Sequence, residues 1–118
     1  MRRDDTERPT VGAAISPEEV LIRAADMVEF SGRWVNREPN TEQREMCALV
    51  AMIEAYRFLN GGLTGFHSKM LEGIAGFSPA REALRREIGG GGITEWNDAP
   101  GRTKDEVATA LRNAKRWL

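Results

Sequence analysis

Hydrophobic positions in this chain recur at helical spacing, in blocks separated by glycine, proline and asparagine. The block that organises the rest is Met46–Leu59, which carries two charges, Glu54 and Arg57, and no glycine or proline. Met46, Leu49, Val50 and Ile53 form one stripe at helical period, and Cys47, Ala51, Ala55 and Phe58 cover much of the other side. A helix apolar nearly all round is buried on most sides, so the others are expected to pack about it. It is too short to span a bilayer.

The first helix is announced by Ser16-Pro17-Glu18-Glu19: an N-cap serine, a proline at the first helical position, and Glu19 to close a capping box. Ile15 and Val20 stand where a hydrophobic staple forms. Val20, Leu21, Ala24, Met27 and Val28 supply the apolar face, and Gly32 is the stop. Residues 31–40 are a connector containing Trp34. Asn40 or Thr41 then caps a second helix, with Gln43 reaching back, and that helix runs through the central block to Asn60-Gly61-Gly62. Phe66, Met70, Leu71 and Ile74 predict a short third helix, weakened by Gly65, Gly73 and Gly76. Ser78-Pro79 repeats the cap-plus-proline device, with Leu84 and Ile88 as the buried residues of the helix that follows.

Gly89–Gly92 ends that helix and reads as a flexible hinge, because four glycines in a row are entropically costly to order. Residues 93–98, Ile-Thr-Glu-Trp-Asn-Asp, fit either an extended segment or a turn of helix. Ala99-Pro100-Gly101 is a turn. Thr103 and Glu106 make a capping box for a last helix with Val107, Ala110, Leu111, Ala114, Trp117 and Leu118 along one side. The expected fold is all-α: a single domain over residues 15–118, four or five helices about the central one, preceded by a disordered arm at 1–14.

Composition narrows the function classes. A net charge of −1 over 118 residues gives no global bias toward nucleic acid or anionic membrane. One cysteine excludes an intrachain disulfide and a multi-cysteine zinc site, and suits a reducing cytoplasm. The first 14 residues mix three arginines with three acidic residues and lack the apolar core of a signal peptide.

Candidate chemistry is sparse. Cys47, in the first turns of the second helix, is placed where a helix N-terminus stabilises a thiolate, with His67 as base and Asn97 or Asp98 as orienting group. The competing reading is a small apolar core residue, which an unpaired cysteine usually is. His67 has no second histidine or cysteine at ligand spacing, and recruiting Glu54, Glu72 or Asp98 requires the fold, so no metal or cofactor is expected. Glu54 and Arg57 are read as an ion pair on the exposed edge of their helix. The glycine run lacks the Lys-Ser/Thr of a P-loop. Lys104, Arg112, Lys115 and Arg116 form a basic side of the last helix, a solvated face by default and a phosphate-binding face otherwise. Trp34, Trp96 and Trp117 are the large anchors, expected in the core or closing its ends.

The stretch from Ile93 to Val107, Ile-Thr-Glu-Trp-Asn-Asp-Ala-Pro-Gly-Arg-Thr-Lys-Asp-Glu-Val, followed by Ala110-Leu111-Arg112, resembles the C-terminal signature of an uncharacterised family of small bacterial, largely actinobacterial, and phage proteins. Pro17–Leu21 and Cys47-Ala48-Leu49 match two earlier blocks of that family in order, with Val50 standing where the family pattern has glycine. The resemblance implies a helical fold and a bacterial or phage source, and no activity. Under it, Asn97 or Asp98 is expected to hydrogen-bond the Pro100-Gly101 turn while Trp96 plugs the core. The functional expectation is therefore a cytoplasmic accessory protein that binds another macromolecule, a protein before a nucleic acid, through Trp96, Asn97, Asp98, Arg102, Arg112, Lys115 and Arg116. A cysteine-dependent enzyme using Cys47, His67 and Asp98, and a nucleic-acid binder using the basic helix, are the alternatives. Pairing with a second copy is left open.

Overall fold

Ser16 starts the first helix as its spacing predicts. The computed structural model describes residues 15–60 and 77–118. The serine hydroxyl accepts from the Glu18 and Glu19 backbone N–H groups at 3.1 and 3.4 Å, so α1 runs Pro17–Phe30. Ile15 and Val20 are both buried, and Gly32, at φ +75°, takes the left-handed turn that ends the helix. The arm at 1–14, the third helix expected around Phe66–Ile74, and His67 and Glu72 lie outside the described residues.

Between α1 and the central helix the chain departs from expectation. No long helix begins at Asn40 or Thr41; residues Thr41–Gln43 form one 3-10 turn, and α2 occupies Ala48–Leu59. The reason is local. Asn40 spends its carbonyl on the Gln43 and Glu45 N–H groups, and Glu45 turns its carboxylate back to the Asn40 N–H and to Arg37. Arg44 then adopts φ 61°, which closes the loop and reverses the chain. Beyond it, Met46 pairs with Trp34 in an isolated bridge, with Val35 N–H to Met46 O and Met46 N–H to Arg33 O both at 2.9 Å.

Helix α2 buries Ala48, Ala51, Met52, Ala55 and Tyr56, while Leu49, Val50 and Ile53 are half-buried and Phe58 is 57% exposed. The helix thus turns three alanines inward together with Met52 and Tyr56, against α1 and its neighbours. Helix α1 packs along both α2 and α5. Helix α3, Phe77–Glu87, contains Ser78 within it rather than before it, and buries Phe77, Ala80, Ala83 and Leu84. Tyr56 meets Phe77 edge to face at 6.2 Å.

The first two glycines of the run cap α3. Gly89 N–H reaches Arg86 O and Gly90 N–H reaches Arg85 O at 2.7 Å, the paired bonds of a Schellman motif. Gly89 at φ +91° supplies the left-handed residue that motif needs. The next segment resolves to helix: α4 is Ile93–Asn97. A turn follows, closed by Arg102 N–H to Ala99 O at 3.0 Å, with Gly101 at φ +81°. Helix α5, Lys104–Asn113, opens with the complete Thr103–Glu106 capping box.

The chain tightens to a 3-10 turn at Ala114–Trp117, so Trp117 and Leu118 stay about half exposed instead of joining the core. The result is a small single-domain all-α fold, with five α-helices and no strand among the described residues. None of these helices is long and apolar enough to cross a membrane.

Arg44 is exposed and its left-handed backbone is strained for a residue with a Cβ. Arg44→Gly should raise the unfolding free energy by up to about 1 kcal/mol. A chemical denaturation midpoint that falls in this variant contradicts that account.

Candidate functional site

Asn97 is the first residue to place, because it stands in the stretch singled out as a binding face. It is fully buried. Its Oδ1 accepts from Trp34 Nε1 at 2.7 Å and from the Ala48 N–H at 3.0 Å; its Nδ2 donates to Val35 O and to Asp98 Oδ1, both at 2.9 Å. Helix α4 therefore plugs its last residue into the joint between the connector and the start of α2. The Ala48 N–H is one of the unpaired donors at a helix start, and Asn97 satisfies it from 49 residues away. The expected bond from Asn97 to the Pro100-Gly101 turn is replaced by this longer reach, and Asn97 is enclosed rather than presented.

Trp96 lies half-buried against the core, and Arg102 stacks over its ring at 4.1 Å while donating to the Trp96 carbonyl at 3.0 Å. The stack fixes both side chains on the wall of a groove of about 500 Å³ between the end of α3, α4 and α5. Ile88, Trp96 and Ala110 give it an apolar floor; Glu87, Asp105, Glu106, Thr109 and Asn113 are its polar edges.

The basic side of the last helix is engaged with neighbouring helices. Arg112 bridges to Asp26 and Glu29 of α1 at 3.0 and 2.6 Å. Arg116 makes a two-pronged pair with Glu87, whose carboxylate also accepts from Trp117 Nε1, and Lys115 stands 4.0 Å from Glu18. These arginines tie α5 to α1 and the C-terminal turn to α3. The Arg116 guanidinium, with help from the Trp117 indole, holds Glu87 below the usual carboxylate range. Glu54 also finds its partner across the fold, Arg33 of the connector at 2.7 Å.

Cys47 and Asp98 do come together, lining one cavity of about 320 Å³ with Arg37, Glu38, Pro39 and Thr94. The thiol caps α2 by position without a side-chain capping bond and is 2% exposed. Burial pushes its pKa up; the Val50 and Leu49 N–H groups draw it down, and the Asp98 charge adds to the rise. A thiol so placed stays protonated at neutral pH, the opposite of an activated nucleophile. No group of three or more metal-ligating side chains occurs among the described residues.

Glu87, Asp105, Thr109 and Asn113 were not picked out from the sequence. The signal for three of them was present, since Asp105, Thr109 and Asn113 recur every fourth residue along one face of α5. The place of Glu87 opposite them depends on how α3 packs.

Fold and site together define a small single-domain all-α protein with an open, polar-edged groove. The chain belongs to a family of unknown function (DUF6197), whose model matches residues 13–116. No curated protein and no solved structure matches it.

Asn97→Ala strips the partner from two donors, one carbonyl and one carboxylate oxygen, and should cost about 2–4 kcal/mol of stability by denaturant unfolding. A loss within about 0.5 kcal/mol, the usual range for a surface substitution, would mean the joint is held elsewhere. A second expectation concerns acid. The Glu87 pKa is depressed in the folded state, so its contribution is full above the ordinary carboxylate value of about 4.3. It shrinks as pH falls below that and is gone once pH passes the depressed value. Glu87→Gln should therefore be less stable than wild type at pH near 7 and converge with it in strong acid. A gap that persists at low pH would refute this.

Proposed function

We propose that this chain is a small cytoplasmic accessory protein, of bacterial, phage or mobile-element type, that acts by binding another protein. The observation that carries this reading is the groove. An apolar floor with a large aromatic residue, ringed by polar side chains, is the composition of a protein-binding surface. Trp96 and Arg102 are the residue types that dominate binding energies, and their stack holds both in place before a partner arrives.

Charge specifies the partner further. Among the lining residues, Glu87 is matched by Arg116, and Glu106 lies 3.6 Å from Arg102. Asp105 is exposed on the same edge. The segment that fits is a short peptide with an apolar anchor over Ile88 and Trp96 and a lysine or arginine alongside to meet Asp105. The contact face thus keeps Trp96 and Arg102 and moves from the side of Arg112, Lys115 and Arg116 to that of Asp105 and Thr109. Ion pairing of Arg112 and Arg116 within the fold also lowers the basic potential a nucleic acid requires.

Panning a displayed peptide library on the nuclease-treated protein should enrich a large apolar residue beside lysine or arginine. Thr109→Lys places bulk and positive charge on the groove at an exposed helical site. It should abolish that enrichment while changing stability by no more than about 0.5 kcal/mol. The same consensus recovered by both proteins would sink the groove as the contact face.

A further inference from the structure

A second cavity has a different character. It measures about 200 Å³ and is lined by Leu49, Arg81, Arg85 and residues 91–94 of the glycine loop and α4. It shares no lining residue with the groove.

Arg81 and Arg85 are four apart on α3, so their side chains leave the same face, where two like charges repel. Arg85 is partnered: Glu82 lies 2.9 Å from it and the Gly91 carbonyl accepts its Nε at 3.2 Å. Arg81 is not. Its Nε is buried without a hydrogen-bond partner, and no ion pair to it occurs among the described residues. A guanidinium whose Nε is shut off from water with no acceptor is half of an interaction. The other charged groups nearby do not supply the rest. Glu82 is engaged with Arg85, and Glu95, though its carboxylate folds toward Gly92, is not among the lining residues.

We infer that this cavity is a binding site for a small tetrahedral oxyanion of the phosphate class, held by the Arg81 fork with Arg85 as the second cation. Size sets the upper limit. Pockets for drug-sized ligands and cofactors span roughly 300–1,000 Å³, so 200 Å³ suits an ion or a lone phosphoryl group rather than a nucleotide. Geometry sets the chemistry, because planar guanidinium pairs bidentately with phosphate or carboxylate oxygens. Arg85 keeps N–H groups beyond those given to Glu82 and Gly91, so an anion with three or four acceptor oxygens can use both guanidiniums where a carboxylate uses one. The facing wall at Gly91 carries no side chain, and a Cβ there would meet nothing within 4 Å.

The test is titration calorimetry with inorganic phosphate at constant ionic strength, with acetate as the carboxylate arm. One phosphate per chain should bind saturably, acetate far more weakly. Arg81→Gln should weaken phosphate binding at least about tenfold. Arg81→Lys, which keeps the charge and loses the fork, should fall between the two. Circular dichroism melts confirm that each variant is folded, and Arg81→Lys carries the test if Arg81→Gln is not. Absence of phosphate binding in the wild type, affinity for acetate equal to that for phosphate, or unchanged phosphate affinity in the folded Arg81 variants would overturn the assignment.

Discussion

One buried amide holds this fold in register. Asn97 receives the indole N–H of Trp34 and the backbone N–H of Ala48, and gives its own protons to Val35 and Asp98. Three segments distant in sequence meet on that side chain: the connector, the start of α2 and the end of α4. A buried amide whose donors and acceptors are all used specifies one arrangement, since any shift leaves several polar groups unpaired at once. The connector has its own supports, in Arg33 to Glu54 and Arg37 to Glu45, but these are exposed or partly exposed and each contributes little alone. Asn97 is where the desolvated bonds lie.

The arginines of the C-terminal third are largely engaged within the fold. Arg112, Arg116 and Arg102, the cations that first suggest a binding surface, each have carboxylates close by: Asp26 and Glu29, Glu87, and Glu106 respectively. That internal matching leaves the visibly basic last helix with less free positive charge than its sequence suggests. It also separates two kinds of surface. The groove by Trp96 combines an apolar floor with a carboxylate edge. The cavity by Arg81 presents a guanidinium whose Nε finds no acceptor in the described fold. The first has the chemistry of a peptide contact, the second that of an anion pocket.

Much of the fold was legible from local chemistry. Ser16 with Pro17, and Thr103 with Glu106, mark helix starts to the residue, because caps satisfy donors within a few positions of themselves. Gly32 marks a stop because its left-handed backbone turns the chain out of the helix. Where local signals competed, reading by period and cap went wrong. Asn40 does cap, its Oδ1 accepting the Glu42 N–H at 3.0 Å, but what it caps is one 3-10 turn: the Glu45 carboxylate and the left-handed Arg44 close a tight loop there, delaying α2 to Ala48. Gly89 and Gly90 also cap α3, since the Arg85 and Arg86 carbonyls at its end need donors, a role the composition of the run did not disclose. Trp117 and Leu118 follow the apolar period of α5, but the tightening at Ala114 turns them out toward solvent.

What the sequence determined by itself is the all-α class and the capped starts at Ser16 and Thr103, because those depend on bonds that span one turn. It also placed Trp96 and Arg102 in one short stretch. Only the tertiary structure decided that Asn97 is enclosed, that the basic side is paired, and that Glu87 faces Asp105, Thr109 and Asn113 across a groove. Partners such as Asn97 and Ala48, or Arg112 and Asp26, lie 49 and 86 residues apart. No periodicity within a helix carries information about contacts at that range; they exist because helix packing brings the two donors and acceptors to the same place.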